Sequence, residues 1–227
     1  MSAGHPVDDG GETTLPRSNG RMIRPFPLSY VRTLPQGTVD HRRVSFFFKR
    51  AIDIALSVTA LLVTAPLIAL LMIIIRLDSP GAVLFRQIRI GRGGVPFQLF
   101  KLRTMFVGQG AQATRVGQFL RPMGLDELPQ FWNVLRGQMS IVGPRPERPH
   151  LVDEYTKAHP GYESRHAIRP GITGWAQVHG HRGRGSIAER LRRDLQYIRT
   201  WTPSGDFWIM LLSVVTVLRD TRRELRR

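Results

Sequence analysis

The pattern of apolar and polar positions is dominated by one uninterrupted run. Residues Ile54 to Ile75 (IALSVTALLVTAPLIALLMIII) carry no charged side chain. At about 1.5 Å rise per residue, a helix of this length reaches roughly 33 Å, enough to cross a hydrocarbon core of about 30 Å. Two features speak against a plain spanning helix. Pro66 lies just past the middle, where it removes an i→i−4 hydrogen bond and costs roughly 3 kcal/mol in a regular helix. Basic residues also flank both ends, Arg42, Arg43, Lys49 and Arg50 before the run and Arg76, Arg86, Arg89 and Arg92 after it. Positive-inside asymmetry calls for one cytoplasmic flank, and here both qualify. The pattern predicts a re-entrant helix-break-helix that enters one leaflet, bends at Pro66 and returns to the same face.

The remaining elements follow from shorter patterns. Residues 1–41 mix Gly, Pro and charge without periodicity and read as a disordered tail. The segment RRVSFFFKR suits entry into the membrane at headgroup level. After Pro80-Gly81 the stretch AVLFRQIRI alternates, Gly91 to Gly94 supplies a turn, and VPFQLFKLRTM alternates again, which predicts a β-hairpin. A short helix is expected near Thr114–Leu120. Leu128, Phe131, Trp132 and Leu135 fall at helical spacing behind Asp126, which places Asp126 as an N-cap. Met139 to Glu147 (MSIVGPRPE) reads as a short strand running into a proline-stiffened loop, and Arg169 to Trp175 as turns. Ser186 and Glu189 form a capping box before a helix with Ile187, Leu191, Leu195 and Ile198 on one face. Phe207 to Leu218 is apolar but too short to span, and the basic residues after it favour an interfacial helix. The expected class is α/β, mostly helical: a tail (1–41), a re-entrant membrane helix (42–80), and a hairpin-containing cytoplasmic catalytic domain with amphipathic interfacial helices (81–227).

Charge narrows the partners. Lys and Arg outnumber Asp and Glu by 33 to 17, a formal net charge of +16. Such an excess attracts anionic lipid, phosphorylated substrate or nucleic acid. The apolar run favours lipid and phosphate, and no nucleic-acid-binding signature accompanies the charge. The absence of cysteine removes disulfides, thiolate nucleophiles and Cys-ligated zinc. The N-terminal segment has no apolar signal-peptide core.

Candidate chemistry centres on the adjacent carboxylates Asp126 and Glu127. Asp126 is either a helix cap or an exposed carboxylate held at a helix start where phosphate collects. Arg145 sits between two prolines, a way to aim a guanidinium at phosphate. Lys101 and Arg103 alternate about Leu102 and so share a strand face, solvated or directed at an anion. The turn Gly91-Arg92-Gly93-Gly94 lacks a following helix and reads as a hairpin turn rather than a phosphate cradle. Asp53 is placed for an i,i+3 or i,i+4 pair with Lys49 or Arg50. Asp194 is either a solvated charge among Arg190, Arg192 and Arg193 or a site carboxylate. His179 and His181 have no further ligands spaced for a metal and read as loop residues, followed by a mobile basic loop at Arg182 to Gly185.

From about Lys49 to Leu218 the ordered set of motifs KRAIDIALS, FRQIRIGRGGVPFQLFKLRTM, LDELPQFWNVLRGQMSIVGPRPE, RPGITGWAQV and DLQYI resembles the bacterial sugar transferase family, the small monotopic phosphoglycosyl transferases. The resemblance implies an enzyme on the cytoplasmic face of the bacterial inner membrane. It would move a sugar 1-phosphate from a UDP-sugar to polyprenyl phosphate. Asp126 and Glu127 match the family's catalytic pair: Asp126 as nucleophile at the sugar-bearing phosphorus, Glu127 helping to hold Mg²⁺. Arg145 matches a phosphate-binding arginine, Lys101 and Arg103 a basic pair lining the site, and Asp53 and Asp194 family carboxylates in supporting positions. The chain departs from the family in two places. Ala65-Pro66 stands where many members have Ser-Pro, so that the bend rests on Pro66, and His179-Gly180 stands where relatives often carry Asn-Gly. Two other readings compete. A membrane-anchored basic binding protein explains the charge and the apolar run but not the Asp-Glu pair. A glycosyltransferase moving the sugar alone would release UDP instead of UMP.

Overall fold

The long apolar run becomes a single helix that grips the rest of the molecule at both ends. The structure, a computed structural model, describes residues 39–108, 112–181 and 186–224; the expected tail and the basic loop at Arg182 to Gly185 lie outside them, apart from the first residues of the helix. Helix α1 (Val39–Asp78) runs unbroken through Pro66. The expected break is therefore not an interruption of the helix. Pro66 still deprives the Leu62 carbonyl of its intrahelical donor. Thr64 Oγ1 donates to the Ala60 carbonyl at 2.6 Å in the same turn, a side-chain contact that often accompanies bending.

The middle of α1 is bare. Leu62 and Val63 are 72% and 73% exposed, and the stretch Phe46–Asp78 is long and apolar enough to cross a membrane. The ends are tied down by buried polar contacts. At the first, Arg50 donates to the Val134 and Leu135 carbonyls at 2.7 and 3.0 Å. Lys49 donates to the Val142 carbonyl and to Asp206. At the second, the Arg103 guanidinium donates to the Ile75, Ser79 and Pro80 carbonyls, satisfying groups that a helix C-terminus leaves open.

Strands β1 (Leu84–Ile90) and β2 (Pro96–Leu102) pair antiparallel, with Leu84 opposite Leu102 and Ile90 opposite Pro96. Helix α2 (Arg115–Met123) is capped by Thr114, whose hydroxyl accepts from the Gly117 amide. Leu71 and Ile75 of α1, Leu102 and Leu120 form a small core between α1, the hairpin and α2; each fully buried side chain contributes about 1.5–3 kcal/mol.

Helix α3 (Gln130–Leu135) leads to strand β3 (Ser140–Val142). The fully buried residues of α3 are Gln130, Asn133 and Val134; of the apolar residues at helical spacing, Phe131 packs against the core while Trp132 is 52% exposed. Asn133 explains this orientation. Its amide accepts from Phe100 N and donates to the Gln98 carbonyl and to Gln138, stitching α3 to β2. After α4 (Pro149–Ala158), the stretch expected to be all turn contains strand β4 (Gly171–Thr173), parallel to β3, and the short helix α5 (Trp175–Val178). Helix α6 (Ile187–Thr200) carries Ser186 as its N-cap. Half of the expected capping box forms: Glu189 turns to Arg192 and Arg193 instead of back to Ser186. Helix α7 (Pro203–Glu224) presents Phe207, Trp208, Leu211, Val214, Val215 and Leu218 to the outside. The larger core joins Phe97, Leu99, Val134, Met139, Ile141, Val142, Tyr197 and Ile209. The architecture is mostly helical with two small sheets.

Candidate active site

Asp126 sits on a sharp turn between two helices. Gly124 ends α2 in the left-handed region (φ 68), and its amide reaches back to the Leu120 and Arg121 carbonyls; a residue with a side chain is strained there. The chain then tightens into a 3₁₀ turn, Leu125–Glu127, closed by Glu127 N to Gly124 O and Leu128 N to Leu125 O. The expectation that Asp126 caps a helix starting at Leu128 is overturned. The cap position belongs to Pro129, and no side chain caps α3. The helix begins too late for an aspartate at 126 to reach its first amides, and the nearer amides are already spent on the 3₁₀ turn.

Freed from capping, Asp126 is 8% exposed. None of the hydrogen bonds among the described residues ends on its carboxylate, and its closest cation is Lys101 Nζ at 3.6 Å. Burial raises its pKa above the ordinary aspartate value; Lys101 and Arg145 pull the other way, and Glu127 adds to the rise. Such a carboxylate is poorly stabilised as an anion and correspondingly ready to bond an electrophile.

Glu127 is held differently. Its Oε1 accepts from Lys101 Nζ at 2.6 Å and from Arg145 Nη2 at 2.8 Å. Burial opposes its ionisation, but the two cations outweigh it and hold the carboxyl well below the usual glutamate range. Arg145 is pushed up in turn, chiefly by Glu127. Three chain segments thus converge: β2 brings Lys101, the 3₁₀ turn brings Asp126 and Glu127, and the loop after β3 brings Arg145. Both contacts to Glu127 fall on Oε1 and none among the described residues on Oε2. Mg²⁺ is commonly held by one or two carboxylates together with substrate phosphates and water. No group of three or more His, Cys, Asp or Glu among the described residues is placed to hold a metal by itself. The donor set fits Mg²⁺ shared with a phosphorylated substrate.

The loop carrying Arg145 is fixed from behind. Gly143 packs so close to β4 that an added Cβ would lie 2.5 Å from the Arg169 carbonyl. From Pro144 to Glu147 each backbone carbonyl takes a donor: Gly171 N, Arg165 Nη2, Arg89 Nη1 and Ile90 N in turn. Glu147 also pairs with Arg190 at 2.7 Å and Arg89 at 3.6 Å.

The other candidates lie apart. Arg103 does not join Lys101; the strand ends at Leu102 and the guanidinium is consumed by the end of α1. Asp53 makes neither expected pair. Lys49 and Arg50 turn to Asp206 and to carbonyls, while Asp53 accepts from Ser140 Oγ and Ile141 N, anchoring α1 to β3. Asp194 is neither solvated nor in the cluster. It is buried against Arg165, accepting from Nη2 at 2.7 Å and from Nε at 3.2 Å. His179 packs edge-on to Trp175 and bonds its carbonyl. Arg165 was not singled out by sequence, and Arg89 only as part of the basic flank: no periodic or local signature marks an arginine that donates to a distant carbonyl.

Over residues 44–220 the sequence matches the family described as bacterial sugar transferase. The chain belongs to this family. The UDP-glucose:undecaprenyl-phosphate glucose-1-phosphate transferase of Caulobacter vibrioides is 42% identical over 94% of this chain and 80% of that protein. The enzyme of the same name from Escherichia coli is 43% identical over 75% of this chain and 40% of its own length. A UDP-N-acetylgalactosamine-undecaprenyl-phosphate N-acetylgalactosaminephosphotransferase of Aeromonas hydrophila is 40% identical over 76% of this chain and 44% of its own. This member of the bacterial sugar transferase family therefore spans less than half the length of the last two. Identity is nearly equal although the sugars named differ, so overall similarity does not select the sugar.

Proposed function

We propose that the protein transfers a sugar 1-phosphate from a UDP-sugar to polyprenyl (undecaprenyl) phosphate through a covalent phosphosugar-aspartate on Asp126. Family membership and the names of the relatives support the reaction class. The observation that carries the covalent step is the contrast between neighbouring carboxylates: Glu127 is pinned by two cations at 2.6 and 2.8 Å, while Asp126 is buried with its closest cation among the described residues, Lys101, at 3.6 Å. A carboxylate is a weak nucleophile in water, so orientation and desolvation must activate it.

The donor's diphosphate takes Lys101 and Arg145 from Glu127, exchanging one anion for another on the same cations. An Asp126 carboxylate oxygen then bonds to the sugar-bearing phosphorus. The bond from that phosphorus to the bridging oxygen breaks, and the electron pair leaves with UMP. An oxygen of polyprenyl phosphate next attacks the same phosphorus, and the Asp126 carboxylate departs unchanged. Glu127 would help to hold Mg²⁺, which would supply neutralisation of the phosphate charge. The product is a polyprenyl diphosphate sugar, a first membrane-bound step towards a polysaccharide or glycoconjugate.

The enzyme works as a monotopic protein on the cytoplasmic face. Both ends of α1 hold the same folded unit, through Arg50 and Asp53 at one end and Arg103 at the other. A spanning helix would carry one of these grips across about 30 Å of hydrocarbon. The exposed apolar surfaces of α1 and α7, with the net charge of +16, suit an anionic phospholipid bilayer. With no native cysteine, Ser45→Cys and Val95→Cys report sidedness without background. Both react from the cytoplasmic side under this reading; labelling from opposite sides contradicts it.

The deciding assay incubates the protein in membranes with a panel of UDP-sugars, Mg²⁺ and polyprenyl phosphate. Release of UMP that depends on polyprenyl phosphate is expected. Release of UDP indicates transfer of the sugar alone, and no nucleotide release returns the chain to a binding role.

A further inference from the structure

Arg145 points at Glu127 from a loop with little freedom. Pro144 and Pro146 lock their own φ angles, and a residue before proline is confined to extended backbone. Neither proline ring fixes φ of residue 145 itself, and rotation about that N–Cα bond would swing its carbonyl and re-aim its side chain together. That carbonyl accepts from Arg165 Nη2 at 2.9 Å. Arg165 is itself fixed on every side. It donates through Nε and Nη2 to Asp194 and through Nη1 to the Tyr162 hydroxyl at 2.6 Å, and its charge lies 5.0 Å from the centre of the Tyr162 ring.

We propose that Arg165 is a positioning residue that sets the aim of the Arg145 guanidinium, with Asp194 as the counter-ion holding Arg165 in place. The pair is 1% and 3% exposed and meets the donor phosphate only through Arg145. Burial of such a pair is a poor source of stability, since an apolar pair of similar volume often does as well. What apolar side chains cannot supply is a charged donor at one chosen carbonyl. Glu147, Arg190 and Arg89 hold the next residues of the loop; among the described residues it is Arg165 that holds the carbonyl of residue 145 itself.

The inference rests on the phosphate-binding role given to Arg145, and a two-by-two set of variants tests it. Arg165→Lys keeps the buried charge beside Asp194 but lacks the fork that reaches both Asp194 and the Arg145 carbonyl. With Arg145 present, Arg165→Lys is expected to lower kcat/KM for the UDP-sugar by roughly 10²-fold, the scale of a small misplacement of a binding group. In an Arg145→Lys background the same change should lower it little further, while the melting temperature shifts equally in both backgrounds. An equal fold-loss in both backgrounds, or no loss in either, overturns the proposal. Should Arg165→Lys not fold, the exchanged pair Arg165→Gln with Asp194→Asn replaces it, and the same non-additivity with Arg145→Lys is expected. If wild type releases no UMP, the functional reading fails by itself. UDP binding by calorimetry then takes the place of kcat/KM: weakening by Arg165→Lys that needs Arg145 supports the positioning role, and weakening independent of Arg145 overturns it.

Discussion

Two ionic clusters face each other across the Pro144–Glu147 loop, and they are built from the same side-chain types. In front, Lys101 and Arg145 share one oxygen of Glu127, with Asp126 beside them, 3.6 Å from Lys101. Behind, Arg165 and Asp194, and Arg190 with Glu147, are more deeply buried, and both groups of the first pair make several bonds. The front cluster can trade partners, because a phosphate satisfies Lys101 and Arg145 as well as Glu127 does. The rear cluster cannot, because no solvent or ligand replaces a bond lost there. Identical residue types thus serve exchange on one side and fixed geometry on the other, and burial decides which.

That contrast breaks most readily at the rear. Asp194→Ala strands the Arg165 charge in the interior, a loss of about 3–5 kcal/mol, read as a fall of roughly 10 °C in melting temperature in detergent or nanodiscs. A change of only a degree or two would mean that water reaches the pair. At the front the expected loss is in turnover rather than stability. Arg145→Lys keeps the charge but not the bidentate fork; kcat/KM should fall about 10²-fold, the cost of a misplaced binding group, with the melting temperature little changed. Near-normal turnover would return Arg145 to a structural role. The smallest effect is on pH dependence. Glu127 has a folded-state pKa depressed below its ordinary 4.5, so its contribution is present above that value and is lost as pH falls below it. The acid fall in melting temperature should therefore be shallower in Glu127→Gln than in wild type. An equally steep fall would show that the Lys101 and Arg145 contacts do not stabilise the folded state.

The sequence carried what is local. The apolar run, the hairpin, the Thr114-led helix and the proline-flanked Arg145 are set by periodicity, glycine and proline within a few residues. It misled where a local rule met a distant competitor. Asp126 had the right neighbours for a cap, but the left-handed Gly124 and Pro129 together insert a 3₁₀ turn and delay the helix. Asp53 lay within reach of Lys49 and Arg50, yet β3 offered it a buried hydroxyl and an amide. Arg103 matched Lys101 in alternation, but alternation holds only while the strand lasts, and the strand stops one residue earlier. Strand β4 was read as turn because three residues around Gly171 show no period; it forms because Gly143 and Gly171 allow two backbones to meet. Arg165 went unmarked, since Tyr162 is its near partner but the Arg145 carbonyl and Asp194 lie 20 and 29 residues away.

The central claim is that Asp126 forms a bond to phosphorus, and one labelling experiment addresses it directly. Wild type and Asp126→Asn are incubated with a UDP-sugar carrying ³²P in the sugar-attached phosphate, without polyprenyl phosphate. The amide preserves shape and removes the nucleophile, and because Asp126 caps no helix, both proteins should melt at nearly the same temperature. Wild type is expected to retain label on the peptide containing Asp126, released on addition of polyprenyl phosphate. Asp126→Asn is expected to retain none and to turn over no donor. Label or robust turnover in Asp126→Asn would contradict the covalent account.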